Sequence, residues 1–245
     1  MIISPSIRSS LTRDDLHRLI AEVGTADRDQ AYHFAELVSE GDIDSVLDAP
    51  ITLDIIRGIG GAPAPLPLQL LWYVPVRAAL KSAGFVSRTL ADLTASVPVA
   101  FYSSRQSKQM GGRDVGLAAW NRFISSMPRG TVARGEAAAN CAAHALWLSG
   151  IFPEWVSRKN QGPGAIRAYI DFAAGAFGVA ATSLRRVSPD SAALFKRASS
   201  AAHSMHTALR STAVDYIGRN AHKPELRLER FLDRLKGDGG NSLLQ

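Results

Sequence analysis

Two histidines one turn apart, His203 and His206, have the spacing best suited to sharing a metal ion, because side chains at i and i+3 emerge on one side of a helix. Their neighbours Ser199, Ser200, Ser204, Thr207 and Arg210 supply no carboxylate to complete such a site, so structural or surface histidines are expected. A helical di-iron centre needs Glu-x-x-His pairs, and the chain has none. Glu136, Asn140 and His144 recur every four residues and would align an acid, an amide and an imidazole along one helix face, a set capable of acid–base chemistry. A packed polar network beside Trp147 is the plainer expectation for the same three residues. Cys141 lies three residues before His144; in an Ala-rich helix its expected role is that of a small buried apolar side chain, not a nucleophile.

Phosphate chemistry has two candidate locations. Gly58, Gly60 and Gly61 form a glycine cluster, but no Lys-Ser or Lys-Thr follows and no strand precedes it, so phosphate binding is not expected there. Arg219, Lys223, Arg227, Arg230 and Arg234 recur every three or four residues as a basic stripe, where nucleic-acid phosphates would dock. Glu225, Glu229 and Asp233 run beside it, which favours reading the stripe as a solvated helix face.

The elements that must position these residues read as helices throughout. Thr12 with Asp14 and Asp15 opens one that buries Leu16, Leu19, Ile20 and Val23 and stops at Gly24. Asp27 opens a second that ends at Gly41, and a short third spans 43–47 before Pro50. Glycines and prolines over 58–67 predict a linker or long loop, and the basic stretch 103–116, with Arg105, Lys108 and Arg113, predicts an exposed loop. Between them lie helices over 68–83 and 87–103, each expected to kink or break at Pro75 or Pro98. A helix at 120–127, an Ala-rich helix capped by Thr131 and a turn at Pro153 follow. Small residues at Ala173, Gly175, Ala176 and Gly178 predict a close helix approach. Ser188-Pro189-Asp190 starts a long helix over about 188–217, whose seam of Phe195, Ala198, Ala202, Met205, Leu209, Thr212 and Tyr216 suits bundle core or a dimer contact. A last amphipathic helix from Pro224 precedes a mobile tail over 237–245.

These elements predict an all-α, irregular bundle of roughly nine to twelve helices. Residues 1–57 should pack on a 68–236 core, in one domain overall. With 46% hydrophobic and 20% charged residues, the composition suits a folded core and excludes a disordered chain. A single cysteine excludes an internal disulfide and fits a reducing compartment. Residues 1–10 carry no secretory h-region and no stretch is apolar enough to span a membrane, so a cytoplasmic protein without membrane contact is expected. The net charge of +6 favours an acidic partner.

Trp72, Tyr73, Val74, Pro75, Val76 and Arg77, together with the run Asn140 and Leu146 to Glu154, resemble two motifs of an uncharacterised family of bacterial α-helical proteins. The resemblance touches about a third of the chain, implies a helical fold and transfers no site residues. His144 and Ala143 depart from it, standing where that family has bulkier apolar or aromatic residues. The expected function is that of a non-enzymatic interaction or regulatory protein acting through a protein partner, with self-association as a homo-oligomer and no cofactor. The alternatives are nucleic-acid binding through the C-terminal stripe and an enzyme with a small-molecule or metal site in the bundle core.

Overall fold

The computed structural model describes residues 7–58, 66–103, 116–159, 162 and 164–218, which hold twelve helices and, among those residues, no strand. In chain order they are α1 (Ile7–Ser10), α2 (Arg13–Ala26), α3 (Arg28–Glu40), α4 (Ile43–Asp48), α5 (Pro50–Ile56), α6 (Leu68–Ser82), α7 (Arg88–Ser103), α8 (Leu117–Ser126), α9 (Val132–Ile151), α10 (Pro153–Lys159), α11 (Ala165–Leu184) and α12 (Pro189–Gly218). The all-α bundle and its long C-terminal-half helix are as the sequence predicts. The helix from Pro224, the tail, the C-terminal basic stripe, Arg105, Lys108, Arg113 and most of the 58–67 stretch lie outside the described residues.

Local chemistry sets several helix starts. Thr12 and Asp15 form a reciprocal capping box at α2, Asp27 caps α3 through the Gln30 amide, Asp42 caps α4 through the Ser45 amide, and Thr131 caps α9 through the Arg134 amide. Each of these oxygens takes up a backbone donor that the first helical turn cannot satisfy.

Several boundaries differ from the sequence expectation. α2 runs through Gly24 to Ala26, because the Asp27 amide still bonds the Val23 carbonyl while the Asp27 side chain starts the next helix. Pro50, expected only to follow the short third helix, opens α5, using its fixed φ at the first helical position. α6 and α7 run unbroken through Pro75 and Pro98, where packing on both sides holds a helix that is missing one ladder bond.

The core is built on α9, α11 and α12, with the α6–α7 pair packed against α12 and the short helices α1, α4 and α5 resting on α6. α9 comes very close to two neighbours. A Cβ at Gly135 would lie 2.8 Å from Leu184 Cγ, and one at Gly150 would lie 3.1 Å from Leu209 Cβ. The expected small-residue approach on α11 is different in detail: Ala173 and Ala176 are buried, but Gly175 faces open space. The seam residues Phe195, Ala198, Ala202, Met205, Leu209 and Thr212 are all buried within the single chain, so this face is core and unavailable for a dimer contact. The side chain of Tyr216 lies outside the description.

Candidate functional site

Helix α9 carries the acid, amide and imidazole that the sequence aligned, and the structure separates their surroundings. Glu136 and Asn140 are partly buried, whereas His144 is only 7% exposed. Among the described residues no hydrogen bond joins the three. The imidazole instead enters a cluster of rings from three other elements and its own helix. Its centroid lies 4.9 Å from Phe101 of α7, 4.9 Å from Trp120 of α8 and 5.7 Å from Trp147 of α9. Tyr169 and Phe172 of α11 extend the cluster behind Trp120, and Phe152 extends it behind Trp147. In place of the polar network expected at this position, the imidazole packs in an aromatic stack.

Two buried nitrogens in this cluster, His144 Nδ1 and Trp120 Nε1, have no hydrogen-bond partner. Burial depresses the His144 pKa from 6.5 to about 4, so the ring is neutral near pH 7. A neutral imidazole with no carboxylate to orient it packs as an aromatic ring and is poorly arranged as a general base. Cys141, on the same helix, is buried, and desolvation raises its thiol pKa to about 11. Little thiolate exists at neutral pH, which matches the apolar role expected for this residue.

The histidine pair of α12 divides into two environments. His203 is exposed, while His206 Nε2 lies 3.1 Å from the Ser149 carbonyl oxygen on α9. A carbonyl only accepts, so this contact places the His206 proton on Nε2. Burial lowers the His206 pKa, and the bond to Ser149 opposes that shift. The two ring centroids are 6.5 Å apart, and among the described residues no group of three or more His, Cys, Asp or Glu side chains is placed to hold a metal.

Sequence reasoning missed the most extensive polar constellation, a chain of ion pairs joining α1, α4, α6 and α7. Arg8 bonds Asp92 through Nε at 2.9 Å and through its backbone amide at 3.1 Å, and reaches both oxygens of Asp44 through Nη1 at 2.7 and 3.0 Å. Arg88 continues from Asp44 at 3.0 Å to Asp48 at 3.5 Å. Arg77 closes the chain with a two-point contact to Asp48 at 3.0 and 3.1 Å and donates to the Val86 carbonyl. The Asp48 carboxyl is lowered: burial pushes it upward, and the Arg77 bonds with the charges of Arg77, Arg88 and Lys81 together more than reverse that. The Asp92 carboxyl is raised by burial, which the bonds to Arg8 offset only in part. The partners lie as far as 84 residues apart, so no local spacing announces them.

Some large apolar side chains stay on the surface. Tyr32 is 62% exposed, Phe123 51% and Trp155 40%. Trp155 follows Glu154, whose carboxylate accepts a 2.9 Å bond from Arg210 of α12. Val214, one turn beyond Arg210, is 45% exposed. No described helix is long and apolar enough to cross a membrane.

Fold and site together define an all-α multi-helix bundle with an aromatic-enclosed neutral imidazole and a partly buried ion-pair chain. No family model, curated protein or solved structure matches the sequence.

Proposed function

We propose that this chain is a helical interaction protein that binds an acidic protein partner through the face shared by α10 and α12. The observation that carries the reading is that Trp155, next in sequence to the Glu154 that pairs with Arg210, and Val214, one turn beyond Arg210, are 40% and 45% exposed. Tryptophan and arginine are the side chains that most often anchor protein interfaces, since each contributes a large contact area together with a polar handle. The net charge of +6 steers an acidic surface toward the molecule.

The test compares wild-type chain with Trp155→Ala and Val214→Glu. Proteins retained in cells by a tagged chain are identified by quantitative mass spectrometry, and the purified pair is then titrated by calorimetry. The reading expects one acidic protein to bind wild type and to weaken at least tenfold with either variant, while the thermal midpoints of the variants stay close to wild type. Retention of nucleic acid instead, with a steep loss of affinity in salt and no response to either variant, would replace it by the nucleic-acid reading.

A further inference from the structure

The ion-pair chain ends in an arrangement that a simple surface network lacks. α1 is four residues long, and of its side chains Ile7 is 3% exposed, Arg8 is partly buried, and Ser9 and Ser10 face solvent. It rests on α6 and α7 and is joined to α2 only through Leu11 and Thr12. The Asp92 side chain beneath it is 5% exposed, and Arg8 supplies the cationic partner of that carboxylate. Asp44, on the other side of the guanidinium, also has Arg88. Tyr73 of α6 is fully buried with its hydroxyl unpartnered, in the electrostatic field of Arg8, Asp92 and Asp44.

Asp92, Asp44 and Tyr73 belong to α7, α4 and α6, so all three are carried by elements other than α1. With α1 gone, Asp92 loses a two-point charge-assisted partner, and a peptide that restores those bonds competes with water for the carboxylate. The geometry specifies that peptide closely. A guanidinium bridges two carboxylates on different helices with separate nitrogens, which a single ammonium cannot reproduce. A backbone amide at the same residue donates to Asp92, which calls for a peptide. The space filled by Ile7 calls for an apolar side chain immediately before the arginine.

We propose that the cleft between α4, α6 and α7 is a binding site for a peptide segment carrying an apolar residue followed by arginine, and that Ile7 and Arg8 of α1 are its intramolecular occupant. A partner segment of that pattern exchanges with α1, so the N-terminal helix acts as a built-in competitor. This site is separate from the α10–α12 face and does not depend on it.

The experiment uses the full chain carrying Ile7→Gly and Arg8→Gly, with two capped tetrapeptides as probes: one with the sequence of α1, and one with lysine in place of arginine. Thermal unfolding followed by circular dichroism should show a saturable rise in midpoint with the arginine peptide, as binding to the folded state requires. The lysine peptide should give no rise, and wild type, whose site is filled, a smaller one. Adding Asp92→Asn should abolish the response. If the double variant does not fold alone, recovery of its helical signal on adding the arginine peptide becomes the readout. Equal responses to the two peptides, or no response, overturns the proposal.

Discussion

The imidazole of His144 lies against the ring of Phe101 with centroids 4.9 Å apart and an interplanar angle of 27°. That stacking makes a histidine, the residue of α9 most suggestive of catalysis, part of an aromatic layer whose packing depends on its staying neutral. Protonating it would place a charge among Phe101, Trp120 and Trp147 with Nδ1 enclosed and unpartnered.

Acid should therefore destabilise the fold in a defined window. The folded His144 pKa of about 4 lies below its ordinary value of 6.5, so between those values the unfolded chain binds a proton that the folded chain does not. Stability then increases with pH across the window: the His144 contribution is complete above pH 6.5 and lost by about pH 4. The full shift corresponds to about 3 kcal/mol. Urea unfolding at a series of pH values should show this slope in wild type and a clearly smaller one in His144→Phe. His206, whose pKa is also lowered by burial, leaves part of the slope in place. An unchanged slope in His144→Phe would show that the ring is not buried neutral.

Two glycines of neighbouring helices should respond to alanine with opposite signs. At Gly135 an added Cβ meets Leu184 Cγ at 2.8 Å and Ser183 Cβ at 3.1 Å, so α9 and α11 must separate, and Gly135→Ala should destabilise by about 1–3 kcal/mol. At Gly175 nothing lies within 4 Å, and Gly175→Ala in the exposed interior of α11 should stabilise by about 0.5–1 kcal/mol. Denaturation midpoints of the two variants moving in the same direction would contradict the α9–α11 geometry.

The same contrast shows what the sequence reveals and what it hides. Thr12, Asp27 and Thr131 mark helix starts within three residues of the amides they bond, so each is legible from its immediate neighbours. The seam from Phe195 to Thr212 is legible because a period of three and four residues belongs to the helix itself. Gly135 and Gly150 carry no mark in the sequence that they, and not Gly175, are where helices touch, since that depends on which helix lies opposite. His144 was legible as a residue worth singling out, but its aromatic surroundings come from α7, α8 and α9, and its pKa follows from that assembly. The pairing of Arg8 with Asp92 spans 84 residues and has no local signature at all.

Arg77 should be among the least replaceable residues on α6. Its guanidinium is nearly buried, holds Asp48 at two points and donates to the Val86 carbonyl. Arg77→Ala leaves Asp48 dependent on the longer 3.5 Å contact from Arg88 and should destabilise by about 3 kcal/mol in urea titrations. Arg77→Lys keeps the charge without the fork and should recover only part of that loss. Full recovery by lysine would mean that charge alone, and not the paired geometry, is what α6 requires.

Cys141 offers a chemical clock for opening of the bundle. The thiol is buried in α9, and desolvation raises its pKa to about 11, so in the folded chain it is both shielded and almost wholly protonated at pH 8. The thiolate attacks a disulfide reagent, so native protein should react at a rate set by the fraction of molecules in which α9 is open. The unfolded chain in denaturant should react as an ordinary cysteine, orders of magnitude faster. Substitutions that loosen the α9–α11 contact, Gly135→Ala among them, should accelerate the native reaction in proportion to their effect on stability if exposure requires global unfolding. Acceleration without loss of global stability would locate a local opening at α9, while a fast wild-type reaction would place the thiol in contact with solvent.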